Sequence, residues 1–295
     1  MKSKLYLIIT MLLFGSIGLF VKNISLPSSQ IALVRGVVGS LFLLMVALLT
    51  KKKLSIHSIK NNLLLLLAAG AAIGFNWIFL FEAYRYTTIS NATLSYYFAP
   101  VFVAFMAPFI LKEKMNKTKI LCVLVAMIGM FFIVEINKTS GFHKDQLLGI
   151  GYGLLAAILY ASVILMNKFV KNISGLETTI IQLSMASVVL LPYIIITNPI
   201  NLSDIPGKSM ILLVTVGLLH TGLAYLLYFV AIRNLKAQTI ASLSYIDPIS
   251  AIIMSGIILG EVMSWQQMLG GVLILGATFY SELSGISVSK KSRIS

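Results

Sequence analysis

The chain has 295 residues, of which 58% are hydrophobic and only 11% charged, with a formal net charge of +14. A water-soluble domain needs about 25% charged residues to cover its surface, so this composition excludes a soluble globular protein and makes lipid the solvent for most of the chain. In a soluble protein the positive charge would suggest nucleic acid; here the basic residues cluster between apolar runs, which fits anionic headgroups and argues against a nucleic-acid partner.

Crossing the hydrocarbon takes about 20 apolar residues in helix. In chain order such runs predict spans over 4–21, 30–50, 63–84, 90–111 and 120–136. The first run has no clear small-residue cleavage site and is read as a retained helix, not a signal peptide. The second half predicts spans over 147–168, 178–197, 209–232, 237–259 and 265–283. Turn-forming or charged segments separate them, among them Leu26-Pro27-Ser28-Ser29, Lys51-Lys52-Lys53 and Ile205-Pro206-Gly207. The expected class is an all-α integral membrane protein with ten transmembrane helices. With the amino terminus in the cytoplasm, seventeen lysines and arginines fall on that side and five (Lys22, Arg85, Lys138, Lys144, Lys208) on the other. Arg35 is left inside a span. The bias predicts both termini in the cytoplasm.

Phe-Val-Lys-Asn-Ile-Ser occurs at 20–25 and again at 169–174. A nearly identical shift pairs Gly74 with Gly222, Arg85 with Arg233, Tyr97 with Tyr245, Pro100 with Pro248 and Glu113 with Glu261. The chain is therefore read as a tandem duplication, with repeats over 1–140 and 146–295. Five spans per repeat is an odd number, so the second copy enters the bilayer upside down. Two inverted five-helix repeats around a central cavity is the architecture of secondary transporters, whose halves exchange roles in alternating access.

Polar groups deep in a bilayer are costly and mark candidate sites. Asp247 and His220 fall near mid-membrane, while Arg35 and Asn76 fall about 8–10 Å below the outer surface, so four helices could converge on an outward-leaning cavity. Asp247 precedes Pro248, whereas its repeat partner Pro100 follows Ala99; one half carries a charge that its twin lacks. Both prolines are expected to kink their helices. A protonatable Asp247 suits a proton-coupled exporter; the competing reading is a buried Asp247–Arg35 ion pair that fixes packing. His220 is either a proton relay or a satisfied core donor. Arg35 either holds the helices, snorkels outward, or grips a substrate carboxylate with its planar fork. Aromatic rings can line the cavity for stacking or cation–π contact: Phe14, Trp77, Tyr96, Tyr97, Tyr160, Tyr225, Tyr228 and Tyr245. Tyr97 and Tyr245 stand three residues before the two prolines. Glu113 and Glu261 end the fourth and ninth spans on opposite faces and read as gating or helix-end groups. A local Glu82–Arg85 pair is expected. Numerous glycines predict close helix contacts, and Cys122 is read as packing. No metal-binding, phosphate-loop or nucleophile–base motif is present, so neither an enzyme nor a cofactor is expected.

Two segments carry a resemblance. Leu94-Ser95-Tyr96-Tyr97-Phe98-Ala99-Pro100-Val101 runs on to Leu111-Lys112-Glu113, and its echo is Leu243-Ser244-Tyr245-Ile246-Asp247-Pro248 running on to Leu259-Gly260-Glu261. With Arg35 in the second span, these resemble the drug/metabolite transporter superfamily, and within it the ten-span EamA-type transporters. The chain departs from the family's early Trp-Gly, having Phe14-Gly15 and, in the sixth span, Tyr160-Ala161. The resemblance implies a basket of helices around a central cavity in the plasma membrane. It also implies movement of a small metabolite, such as an amino acid or related compound, often outward. The partners expected are that solute, membrane lipids and protons, with monomer or homodimer left open. A lipid-headgroup flippase is the nearest alternative.

Overall fold

The computed structural model describes residues 2–51, 55–112, 117–134, 144–197 and 205–291, and every regular element among them is helical. In order these are α1 (Lys2–Lys22), α2 (Ser28–Leu49), the short α3 (Ile56–Asn61), α4 (Leu63–Tyr86), α5 (Ile89–Tyr96), α6 (Ala99–Ile110), α7 (Lys117–Val134), α8 (Lys144–Asn167) and α9 (Gly175–Thr197). Next come α10 (Gly207–Thr215), a π-helical segment (Val216–Leu223), α11 (Ala224–Ile232), α12 (Ala237–Ser244), α13 (Ile246–Leu259) and α14 (Trp265–Lys291). By length and hydropathy, nine stretches of the described residues qualify as membrane spans. They agree with the first nine predicted runs to within a few residues. The 27-residue α14 stands where the tenth is expected. Helix α3 is new, falling where the sequence reading has only a loop.

The fourth and ninth spans are each built from two half-helices, α5–α6 and α12–α13. The Thr88 side chain caps α5 by accepting from Asn91 N at 3.1 Å, which fixes where that span begins. It stops at Tyr97, and α12 stops at Tyr245, so the two repeat-equivalent tyrosines occupy the two junctions. Contrary to the expectation from sequence, the prolines do not kink the spans at their own positions. Pro100 and Pro248 sit in the first turns of α6 and α13, where a missing N–H breaks no intrahelical bond, and the interruption lies just upstream. Gly260, at φ +67°, closes α13 in the left-handed region that glycine reaches without steric cost.

Contacts between elements follow a regular scheme. α1 packs on α11 and α13, α8 packs on α4 and on α5–α6, α2 packs on the π-helical segment and α9, and α4 packs on α9. α7 pairs with α14. A Cβ added at Gly129 would lie 2.8 Å from Gly270 O, and one at Gly270 would lie 2.6 Å from Gly129 O. These two helices therefore touch backbone to backbone, as small residues permit in lipid. α5–α6 and α12–α13 run antiparallel: Ile89 meets Glu261, Ser90 meets Ser255 at 2.9 Å, and Tyr97 meets Asp247. The main buried cluster includes Ile17, Leu19, Val21, Ile31, Trp77, Phe81, Tyr84 and Ile89, where α1 finishes and α5 begins, and runs on to Leu43 and Ala47 at the far end of α2. Buried Cys122 joins a second cluster with Leu94, Phe98 and Ile133, in a packing role.

Candidate functional site

The two broken spans meet at their junctions. Tyr97, at the end of α5, donates its hydroxyl to Asp247 Oδ2 at 2.7 Å, in the first turn of α13. Asp247 also presents its backbone carbonyl to the Ser250 hydroxyl at 2.9 Å. Gly15 of α1 lies against Asp247 O and Ser250 Oγ, at 2.6 and 2.1 Å from where a Cβ would stand. Any side chain on α1 at this level would drive it off α13. Although central in their spans, Tyr96, Tyr97 and Asp247 are only half-buried. Tyr160 of α8 is 41% exposed and lies 5.5 Å from Tyr96, ring to ring. Phe14 meets Tyr225 edge-on at 5.5 Å, and Tyr225 stacks on Phe229 at 6.5 Å. A carboxylate and several rings thus keep partial exposure beside the junctions of the two broken spans.

Arg35 neither snorkels nor pairs with Asp247; its contacts fit the role of holding the helices, tying α2 to the π-helical segment and to α4. At 5% exposure it does not snorkel to the surface. Among the described residues it makes no ion pair, so the competing Asp247–Arg35 bridge does not form; Asp247 accepts from Tyr97. Its Nε donates to Thr221 Oγ1 at 2.8 Å, and its guanidinium carbon sits 4.2 Å over Trp77 and 5.7 Å from Phe81. A planar cation held flat on an indole is a favourable arrangement when water is excluded. Thr221 belongs to the π-helical segment, whose Gly217 and Gly222 lie against Val38 and Phe42, while Gly39 faces Thr221. This close approach of α2 brings Arg35 within reach of Thr221. Single π-turns of this kind recur at functional positions.

Other candidates stand elsewhere. Asn76 is buried and gives its amide to Ala156 O at 2.6 Å, tying α4 to α8 rather than facing the rings. His220 is buried on the π-helical segment, with Nε2 3.0 Å from Ser16 Oγ and its ring 4.5 Å from Phe20; in this conformation it braces α1 and does not border the accessible space. Tyr245 packs its ring edge-on against Phe279 of α14 at 5.1 Å, unlike its repeat partner Tyr97. Of the four deep polar residues expected to converge on an outward-leaning cavity, Asn76 and His220 are instead engaged in contacts between helices, while Tyr225, Tyr228 and Phe229 are half-buried on α11.

The end where α1 finishes is closed by a clamp. Glu261 Oε1 pairs with Lys22 Nζ at 2.5 Å, while Oε2 accepts the backbone N–H of Ile89 at 2.8 Å. One carboxylate thus joins the ends of α1, α5 and α13. Above it lies a polar vestibule of about 790 Å³ lined by Lys22, Arg85, Asn91, Asp145, Glu261 and Gln267, among others. The expected Glu82–Arg85 pair forms at 3.7 Å, and Arg85 also donates to Leu26 O. Glu113, the repeat partner of Glu261, lies outside the described residues. Sequence reasoning missed Lys22 and Thr221 as partners. Lys22 had a signal, since it stands in the repeated hexapeptide; Thr221 had none.

The profile of the EamA-like transporter family matches the chain twice, over residues 1–135 and 147–282. The chain belongs to the EamA-like transporter family. The "Uncharacterized transporter YxxF" of Bacillus subtilis (strain 168) is 31% identical over 91% of this EamA-like chain and 85% of its own length. The "Probable amino-acid metabolite efflux pump" of Salmonella typhimurium is 24% identical over 80% and 82%. A crystal structure superposes with a TM-score of 0.63 at 14% identity, covering 95% of this chain and 96% of its own, which is a likeness of fold. The EamA-like chain is thus a membrane-embedded transporter by family.

Proposed function

We propose that the protein is a secondary transporter of the plasma membrane that exports a small metabolite, an amino acid or a related compound, by proton-coupled alternating access. The observation that carries this reading is the Tyr97–Asp247 hydrogen bond, which joins two antiparallel broken spans beside half-accessible rings and beneath a closed mouth. Irregular backbone at mid-membrane is tolerated where it borders a cavity, and transporters place their sites there.

Inverted repeats are supported by the packing scheme. Exchanging the first five predicted spans for the last five turns the α1–α13 contact into α8 against α5–α6, and the α1–α11 contact into α8 against α4. The antiparallel course of α5–α6 and α12–α13 supports the opposite sense of the two copies. On the cytoplasmic placement of both termini, the Glu261 clamp lies outside, and the conformation is closed outward with Asp247 reachable from within. Asp247 then serves as the proton-carrying group, released and reloaded as the Tyr97 bond is broken and remade. Glu261 serves as the outer gate, with Pro100 and Pro248 beginning the half-helices that pivot.

The test is efflux from proteoliposomes of purified protein under an imposed proton gradient. Asp247→Asn is expected to lower gradient-driven flux at least tenfold, about the effect of removing one positioned proton-transfer group or more, while the variant remains monodisperse. Undiminished flux with the same gradient dependence removes Asp247 from the mechanism.

A further inference from the structure

The vestibule above the clamp takes no part in the chemistry assigned to Asp247, and its walls are chemically uneven. Val262 is the one aliphatic side chain among the described residues that line it, so it suits a water-soluble ligand and not an acyl chain. Both cations on its wall already have partners. Lys22 pairs with Glu261, while Arg85 pairs with Glu82 and donates to Leu26 O. The positive ends of two bordering helices are answered as well. Glu261 accepts the Ile89 N–H in the first turn of α5. At the start of α14, Ser264 N–H donates to Gln267 Oε1 at 3.0 Å and Gln267 N–H to Ser264 Oγ at 3.2 Å, a reciprocal cap. An anion entering here would find its natural partners taken.

Three groups that favour positive charge are left over. Asp145 borders the vestibule from the first turn of α8 and makes no ion pair among the described residues. The end of α8 offers it only a partial charge, about half a unit. Asn91 is 1% exposed and borders the same space, and its Oδ1 has no hydrogen-bond partner among the described residues. Its Nδ2 reaches only Thr87 Oγ1, at a long 3.4 Å. A buried amide oxygen without a donor is costly, and a ligand N–H would satisfy it. Tyr86, 39% exposed, adds a ring to the wall. That ring leans on Tyr152 at 5.6 Å, which is itself stacked on Phe79 at 6.0 Å. A Cβ added at Gly149 would lie 2.7 Å from Thr87 Cβ. α8 and the start of α5 therefore touch one turn away from Asp145 and from Asn91, which brings the two acceptors to neighbouring helix ends.

We propose that this vestibule is a second ligand site, one that takes a water-soluble cationic amine. The ammonium pairs with Asp145, donates to Asn91 Oδ1 and lies against the Tyr86 ring. The Glu261 clamp and the Ser90–Ser255 contact stand between this site and Asp247, so the assignment goes beyond the transporter reading and does not rest on it.

The experiment titrates full-length protein in a neutral detergent with putrescine and follows binding by ligand-observed NMR. Butane-1,4-diol and succinate serve as uncharged and anionic counterparts with the same four-carbon chain. Expected is saturable binding of putrescine alone. Asp145→Asn removes the charge and keeps a group suited to a helix start; it should weaken binding about fivefold, the size of a partly solvated ion pair. Asn91→Asp places a charge where Oδ1 now lacks a partner and should tighten binding by a similar factor. Asp247→Asn should bind putrescine as wild type does. No saturable putrescine binding overturns the proposal, as does equal or tighter binding of the diol or succinate, or an unchanged affinity in Asp145→Asn. Loss of putrescine binding in Asp247→Asn also overturns it, by placing the amine at the junction of the broken spans, and leaves the transporter reading intact. If Asn91→Asp is not monodisperse, Asp145→Asn, at an exposed position, carries the decision.

Discussion

Glu261 shows how much one side chain can decide here. Its two oxygens meet partners on different spans, Lys22 Nζ and Ile89 N, and its own backbone N–H returns to Ser255 O at 3.3 Å. The pair is partly solvated, so the ionic part is worth about 1 kcal/mol, enough for about a fivefold change in the balance of two states. Glu261→Gln keeps an acceptor for Ile89 N–H but loses the attraction to Lys22. It is expected to raise the maleimide labelling rate of a Ser90→Cys reporter, just inside the clamp, about fivefold in a Cys122→Ala background. An unchanged rate would mean that the clamp does not hold this end closed. Asp247 and Arg35 act at the same scale: among the described residues Asp247 has no cation partner and Arg35 no anion.

At the scale of elements, two kinds of helix coexist. α7 and α14 are unbroken and pack backbone to backbone at Gly129 and Gly270. α5–α6 and α12–α13 are interrupted at Tyr97 and Tyr245 and meet across the site. The first pair is held by continuous close packing, whereas the second is interrupted at its junctions. A methyl group on Gly129 would enter the space of Gly270 O, which is backbone and cannot swing aside. Gly129→Ala is therefore expected to destabilise by about 1–3 kcal/mol, seen as a lower melting temperature in detergent. Gly276→Ala on the same α14 meets nothing within 4 Å and should be neutral or slightly stabilising, since alanine favours helix. Equal effects at both positions would refute the close contact.

For the whole molecule, orientation fixes which solution the half-exposed rings meet. Lys60 is exposed near the start of α4, and Val262, 88% exposed, stands beside the clamp at the other end. In whole cells, with Cys122 replaced by alanine, an impermeant maleimide is expected to label Val262→Cys from outside. Lys60→Cys should react only after the membrane is opened. The reverse pattern would overturn the proposed cytoplasmic placement of both termini.

Spans, family resemblance and the list of deep polar residues were all legible in the chain, because hydrophobic length, lysine placement and repeated motifs are local properties of sequence. Partners were not. Nothing in the sequence distinguishes an Asp247 bonded to Tyr97 from one bonded to Arg35, since all three lie on different spans and their meeting depends on how those spans cross. Equally hidden was the divergence of Tyr97 and Tyr245, identical by repeat yet turned respectively toward Asp247 and toward Phe279. The sequence alone determined that the chain lives in lipid and which polar groups are buried there. Only the tertiary structure decided which of those groups satisfy one another and which keep partial exposure, because in a bilayer that accounting is settled between helices and not within them.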